Sequence, residues 1–344
     1  PRFTTSWAGC RRLSLRTAFR RPFSGIWTTN RGGKTSFPEN IRSIMNECME
    51  IDKPLVSVAV LTYGHYEGLE HTLRSVVAQT YPMVEIIVSD DGSGKKFPVE
   101  IVAQYQKKVL FLQNEINIGT VAHMNRVAEK LRGTYIKFIA ADDELSSSDA
   151  LSRLVCCAIK ENTVVTTSQS MVCDSTLRKR LYPFPRKAAL RRMETNPEQQ
   201  FIQLAKENCI SAVGTLLHRD FFDLYGGFSK EYRLLEDWPT WIREARCGRR
   251  IGILPEITCL YAVGGVSSHN VDAFASEILR QDMLHCYESE IMPYVGRLPH
   301  AVRHMALYRY ALLHEKSDAL IKRFPLLHLG TLVKRGLKRW LIKA

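Results

Sequence analysis

The sequence predicts an α/β protein with a mostly parallel, doubly wound sheet, on three observations. First, short apolar runs alternate with stretches of helical spacing from residue 54 to residue 148, the pattern of strand–helix–strand units. Second, three polar loops, at 62–65, 90–93 and 142–144, fall where strands should end. Parallel strands end on one edge, where ligands bind in such sheets, so the three loops are expected to form one site. Third, the apolar run Tyr135–Ala140 leads directly into Asp142-Asp143, and paired acids at a strand end can hold a hard cation that shares its sphere with phosphate oxygens. Taken alone, an acid pair reads more often as a solvated loop capping the next helix.

In chain order, Pro54–Leu61 reads as a strand, with Leu55, Val56, Val58, Val60 and Leu61 apolar. Glu67–Gln79 has Leu69, Leu73, Val76 and Val77 on one helical face, and Pro82 ends it. Val84–Ser89 is a second strand, closing in Asp90-Asp91-Gly92-Ser93, and Val109–Leu112 a third. Asn117-Ile118-Gly119 turns into a helix over Thr120–Leu131, stopped near Gly133. Asp149–Lys160 is expected to be helical and Thr163–Val172 a strand; 174–195 is basic and irregular, a mobile loop. Asn196-Pro197 opens a helix with Asn as N-cap and Pro at the first position. Cys209–Leu217 reads as a strand, and Phe221–Phe228 runs through Gly226-Gly227. A helix from Asp237 ends near Cys247 with Gly248 as its stop; Ile251–Leu254 and Ile257–Val263 are two short strands. Residues 272–344 look helical throughout.

The chain has 344 residues, 45% hydrophobic and 24% charged, enough for one large or two modest globular domains. Nine scattered cysteines without a CxxC pair read as reduced thiols of a cytoplasmic protein, not a disulfide frame or a zinc site. No apolar run is long enough for a membrane-spanning helix. The net charge of +13 is concentrated at the ends: residues 1–53 carry +6 and 297–344 carry +9. A nucleic-acid partner is therefore not expected, since its basic footprint would lie on the core. Residues 1–38 hold no Asp or Glu and are rich in Arg, Ser and Thr, a composition like that of a transit peptide. The chain opens on Pro1, and Met45 or Met49, just ahead of the first strand, suits a natural start. Residues 1–50 are accordingly expected to be a disordered extension that is not part of the fold. From 321 to 344 there are seven Lys/Arg and no acid among Phe, Leu, Val and Trp, as in a helix lying on an anionic membrane surface. That would place the protein on the inner face of the cell membrane; a helix packed on the protein with its charges in water is the equal alternative.

Several motifs together carry a resemblance. Val56-Ser57-Val58-Ala59-Val60 with Tyr63, Ser75–Pro82, and Glu85–Ser93 with its Asp90-Asp91-Gly92-Ser93 resemble the opening of a family 2 glycosyltransferase of GT-A fold. Asn117-Ile118-Gly119, Asn125, Gly133-Thr134-Tyr135-Ile136, Asp142-Asp143, Gly226-Gly227-Phe228 and Glu236-Asp237 continue it in the family's order. The resemblance covers 54–270, leaving 271–344 as a helical C-terminal extension. It implies a Rossmann-like nucleotide-binding sheet flanked by helices and an inverting, metal-dependent, hexosyltransferase-type enzyme. The relatives expected are bacterial enzymes that build capsule, O-antigen or similar surface polysaccharide.

The same resemblance implies roles. Thr62 and Tyr63 would sit at the nucleotide, with Tyr63 lying flat against a uracil or thymine ring; otherwise it is a core-edge aromatic. Asp91 would accept the base N–H, or simply belong to an Asp-Gly turn. Asn125 would contact the nucleotide-sugar. Asp142 would sit near ribose or metal, and Asp143 would bind the Mg²⁺ or Mn²⁺ that bridges the donor diphosphate. Asp237 would be the general base that deprotonates the acceptor hydroxyl, oriented by Glu236, and could also cap its helix. The donor would be a UDP- or dTDP-sugar and the acceptor a saccharide or lipid-linked saccharide. The pattern is broken in places. Gly64 and Met124 stand where the family often has Asn and Arg, and Ala262 and Gly264 where many members have an Arg and a His on the diphosphate. His269 or Arg178–Arg180 would have to substitute. Two rivals follow: a degenerate nucleotide-sugar-binding scaffold, and a sugar-phosphate nucleotidyltransferase, which the lack of a Gly-rich basic loop after the first strand disfavours.

Overall fold

The computed structural model describes residues 53–64, 66–263, 277–314 and 322–330. The expectations for residues 1–50, for His269 and for most of the basic tail 321–344 fall outside these residues.

β1 (Val56–Thr62) forms because alternate residues can bury on both faces of a sheet. Val56, Val58 and Val60 pack on one side with α1 (Leu69–Val77), and Ala59 on the other. On α1 the buried residues are Leu69, Thr72, Leu73 and Val76, the spacing of one helical face. β2 (Val84–Asp90), α2 (Val99–Tyr105), β3 (Val109–Gln113), α3 (Thr120–Ala128) and β4 (Tyr135–Ala140) follow; α2 is a helix not anticipated from the sequence. The chain continues through β5 (Glu144–Leu145), α4 (Ala150–Glu161), β6 (Val165–Cys173), β7 (Arg180–Phe184), α5 (Lys187–Met193) and α6 (Pro197–Lys206). Then come β8 (Thr215–His218), α7 (Asp220–Asp223), α8 (Asp237–Arg246), β9 (Gly252–Ala262), α9 (Glu277–Cys286) and α10 (His300–His314).

The strand order is β3-β2-β1-β4-β8-β6-β9-β5, with β7 added to β6. β1 to β4 are mutually parallel. β8 runs against β4 and β6 against β8, which turns β6 back to the direction of β4, and β9 is parallel to β6. The C-terminal ends of β1, β2, β4, β6 and β9 therefore share one edge. The mostly parallel sheet flanked by helices is the fold class expected, with antiparallel β5, β7 and β8 inserted.

Four expectations are corrected. Residues 174–195 are not an irregular loop. β7 pairs with β6 as an exposed strand carrying Pro183, a residue that edge strands tolerate, and α5 buries Ala189, Leu190 and Met193. The two strands expected at 251–263 are one, β9; its pairing steps from Leu254 to Ile257, so Pro255 and Glu256 bulge out of the ladder. The strand expected at Cys209–Leu217 shrinks to β8, because Ala212–Gly214 coils into a 3₁₀ turn. The C-terminal region is not helical throughout: a π turn at Tyr287–Ile291 and a 3₁₀ turn at Met292–Arg297 separate α9 from α10. Pro293 and Pro299 lack the N–H that an unbroken helix needs. The N-cap at Asn196 forms as expected, its side chain accepting from Gln199 N at 3.0 Å.

Candidate functional site

The three loops meet at the shared edge. Thr62 pairs with Asp90 and Leu61 with Ala140 across the ladder, and Asp91 N donates to Thr62 O at 2.9 Å. Thr62 is buried, whereas Tyr63 is 57% exposed. A core-edge aromatic would be covered, so Tyr63 offers a free ring face at the mouth of the site. Gly64 N donates to Ser93 Oγ at 2.6 Å, tying the first loop to the second.

The second loop is built on two buried aspartates. Asp90 accepts from Ser93 N at 2.8 Å, from Gln113 Nε2 at 3.2 Å and from Tyr66 Oη at 3.2 Å. Asp91 accepts from Asn114 Nδ2 at 2.9 Å, Ile118 N at 3.2 Å and Gly119 N at 3.0 Å. A carboxylate has about four acceptor positions, so three donors leave Asp91 room for one more. Gly92 adopts φ +76°, and a Cβ there would lie 2.2 Å from the Ile116 carbonyl carbon. Only glycine lets this turn pass so close to the loop after β3. Below it His123 on α3 is buried with Nε2 2.8 Å from Ser89 Oγ. Burial lowers its pKa against the opposing pull of Asp91 and Asp90, so it serves as a neutral support.

The third loop divides the two acids. Asp142 is exposed, while Asp143 is buried. Asp143 Oδ1 accepts Ala262 N at 2.9 Å. Burial and the adjacent Asp142 raise its pKa well above the carboxylate range, opposed by Ala262 N–H and by Lys137. Lys137 is itself fully buried in β4, its Nζ donating to Phe138 O at 2.9 Å and to Val213 O. Burial lowers its pKa, opposed by Cys259 and Asp143. The two acids are thus placed differently: Asp143 lies inside the protein with Oδ1 on Ala262 N, and Asp142 is the member of the pair at the surface. Among the described residues no cluster of three or more His, Cys, Asp or Glu is placed to hold a metal. One outward carboxylate still fits a Mg²⁺- or Mn²⁺-type ion, which is commonly bound by one or two carboxylates with the rest of its sphere from substrate phosphates and water.

Asn125 does not face a ligand. Its Nδ2 donates to Phe228 O at 2.8 Å and its Oδ1 accepts Phe228 N at 3.0 Å. Both ends of the amide are used in holding the Phe228 peptide against α3, where the sequence reading expected a contact with the nucleotide-sugar. Ala262, where the family often has Arg, contributes its backbone N–H to Asp143. Arg178, Lys179 and Arg180 are all exposed on the β6–β7 hairpin, and Arg180 pairs across from Cys173 at the site edge. No ion-pair partner is found for these three among the described residues.

Glu236 and Asp237 stand where a loop enters α8. Asp237 is the first helical residue, with Glu236 in the N-cap position and no side-chain cap bond, so capping by Asp237 does not occur. Its Oδ2 accepts Asn208 Nδ2 at 2.8 Å and its Oδ1 accepts Trp238 N at 2.5 Å. Burial raises the Asp237 pKa, while these two donors hold it down. Burial and the Asp237 charge push Glu236 up to about 8. Glu236 is therefore largely protonated at neutral pH, and the helix N-terminus favours the charged form of Asp237. The pair is tied to the nucleotide side by two bonds: Asp91 to Gly119 N, and Arg233 O to Val121 N at 3.2 Å. Asn114, His123 and Asn208 were not singled out from the sequence, since lone polar residues there have no spacing signal.

The aromatic, the carboxylate turn and the exposed acid lie at the carboxyl edge of the sheet, where ligands bind in open α/β folds. Residues 57–226 match the family model Glycosyl transferase family 2, and that segment belongs to this family. An uncharacterized glycosyltransferase of Methanocaldococcus jannaschii is 38% identical over 98 residues, 27% of this chain and 34% of that protein. TuaG of Bacillus subtilis, named for teichuronic acid biosynthesis, is 34% identical over 97 residues, 27% of this chain and 37% of its own. The chain thus spans about a third of the length of these relatives. The crystal structure of S. aureus TarS 1–349 superposes with a TM-score of 0.54 at 17% identity, covering 76% of this chain and 72% of that one. TarS 1–349 in complex with UDP-GlcNAc gives 0.54 at 18%, over the same shares. At such identity the likeness is one of fold, and the fold is GT-A.

Proposed function

We propose that the protein transfers a sugar from a nucleotide-sugar donor to a saccharide or lipid-linked saccharide acceptor, with inversion at the anomeric carbon. The observation that carries this reading is the meeting of exposed Tyr63, the Asp91 turn and exposed Asp142 on one sheet edge, with the loop that leads to Asp237 bonded at Arg233 to the start of α3. Tyr63 lies against the base, and the remaining acceptor position of Asp91 takes its N–H. Asp142 would hold a divalent ion, which would supply positive charge opposite the departing diphosphate. Asp237 takes the proton from the acceptor hydroxyl as that oxygen attacks. Its raised pKa suits it to the task, since a base works best with a pKa near the working pH. Protonated Glu236 beside it adds no competing charge. Structural kinship to a UDP-GlcNAc complex supports a UDP-sugar donor, and the TuaG relative supports an acceptor in surface polysaccharide. Acceptor choice falls to the β6–β7 hairpin, whose three exposed cations suit an anionic saccharide. Docking of 321–344 on an anionic membrane would bring a lipid-linked acceptor within reach; among the described residues no helix is long and apolar enough to cross a membrane.

The test is Asp237→Asn. The variant should keep UDP and Mn²⁺ binding, read as thermal stabilisation, and lose turnover of UDP-sugars. Full turnover would remove Asp237 from the base role. Failure of every UDP-, dTDP-, GDP- and CMP-sugar to stabilise the wild type would favour the scaffold reading, which rests on Ala262 in place of Arg.

A further inference from the structure

We propose that Asp282, on the C-terminal helix α9, is a positioning residue for the Glu236–Asp237 pair, which makes the C-terminal region part of the working site. The inference rests on the reading of Asp237 as base. Asp282 is buried. Its Oδ2 accepts three consecutive backbone N–H groups, Arg233 at 3.0 Å, Leu234 at 2.6 Å and Leu235 at 3.0 Å. Successive N–H groups that converge on one point form an anion-binding nest, and here the protein supplies the anion itself. The nest ends one residue before Glu236. Its peptide planes therefore set where the carboxylate pair begins.

The opposite side of this loop is fixed by α3. Val121 N donates to Arg233 O, and a Cβ on Gly119 would meet Arg233 Cγ at 2.9 Å. The loop is held between the helix that follows the nucleotide turn and a carboxylate from α9. Beyond Asp282 the C-terminal region grips α8. Tyr287 packs edge-on against Trp238 at 5.3 Å, and Glu290 pairs with Arg246 at 2.6 Å and Arg243 at 3.5 Å. Tyr287–Ile291 is a π turn, a feature that costs regular hydrogen bonding and often marks functional places. The turn changes the helix register between Asp282 and Glu290, which hold the loop and α8 respectively.

Asp282 and Asp237 both raise the pKa of Glu236. Cys286, one turn further on α9, senses Glu290, Asp237 and Asp282 against Arg243. Asn208, from the loop after α6, is neutral. Removing the Asp282 charge therefore makes Glu236 easier to ionise, and the pH profile of turnover should change.

The experiment compares full-length wild type, Asp282→Asn, Asp282→Ala and Asp237→Asn. It reads melting temperature, affinity for UDP with Mn²⁺, and hydrolysis of UDP-glucose and UDP-N-acetylglucosamine across pH. Asn keeps an acceptor oxygen for the nest and loses the charge. Asp282→Asn is expected to stay folded and keep its UDP affinity. Its kcat should fall about tenfold to a hundredfold, the scale of a small misplacement, with an altered pH profile. Asp282→Ala should lose more kcat at the same UDP affinity. If Asp282→Asn matches the wild type in kcat and pH profile, the inference fails. It fails also if melting temperature, UDP affinity and kcat fall together, since Asp282 is then only part of the fold. A fully active Asp237→Asn overturns the base assignment itself. An inactive Asp237→Asn beside an unaltered Asp282→Asn overturns only the positioning role.

Discussion

Asn125 separates a ligand contact from a fold contact, and the two predict opposite results for Asn125→Ala. In the structure the amide spans both polar groups of the Phe228 peptide, at 2.8 and 3.0 Å, and the Phe228 side chain is buried among Phe138, Phe221 and Phe222. Truncation removes two hydrogen bonds worth about 1 kcal/mol net each, and leaves a buried N–H and C=O that cost about 1–3 kcal/mol each when unmet. Asn125 is only partly buried, so water reaches some of the gap, and a loss of about 3 kcal/mol is expected. For a domain of this size about 1 kcal/mol moves the melting temperature by about 2–4 °C, so Asn125→Ala should melt about 6–12 °C lower. Stabilisation by UDP and Mn²⁺ at a temperature where the variant is folded should equal that of the wild type. Asn125→Asp should be worse than Ala, because a carboxylate would face the Phe228 carbonyl. Differential scanning fluorimetry with and without UDP reads both quantities. An unchanged melting temperature with weakened UDP binding would refute the structural role and restore Asn125 to the donor site.

Two further outcomes follow from the acids. Asp142→Asn should abolish the metal-dependent part of UDP stabilisation without changing the melting temperature, whereas Asp143→Asn should keep the metal response; titration of Mn²⁺ in the presence of UDP distinguishes them, and the reverse pattern would return the metal to Asp143. Turnover should be high at alkaline pH and fall as pH drops through the raised pKa of Asp237, since only the deprotonated carboxylate can take a proton; a limb in the ordinary carboxylate range, in a pH profile of kcat, would show that burial does not tune the base.

The legible parts of this chain are those in which one residue type meets one physical demand. The strands β1, β2 and β4 could be read because both faces are buried, so their apolar runs are nearly continuous. The turn at Asp90–Ser93 could be read because its glycine has no substitute. Asp142-Asp143 was visible as a pair, but its division of labour was not. Adjacent residues at a strand end point opposite ways, and the one that turns inward meets Ala262 N–H, 119 positions further along the chain. β7 and α5 were hidden for a different reason: an exposed strand with basic residues and a proline lacks the alternation that marks a half-buried strand.

Asp282 shows most clearly why the remainder was illegible. In the sequence it is one acid in a helical stretch, and a solvated helix face is the ordinary explanation for such a residue. Its meaning comes from Arg233, Leu234 and Leu235, almost fifty positions earlier, and from backbone N–H groups that carry no sequence signature at all. The same holds for the Asn125–Phe228 bond, which joins residues 103 positions apart. The family motifs name the residues that would touch the ligand, but the peptide groups that aim those residues can be supplied by any sequence. A loop that presents a catalytic carboxylate must be held from both sides, and here α3 supplies one side and α9 the other. The C-terminal region lies beyond the family match at 57–226, yet it closes the circuit that runs from Asp91 through Gly119 and Arg233 to Glu236–Asp237. Its requirement for turnover, rather than for donor binding, is the property that would separate a working part of the site from an attached domain.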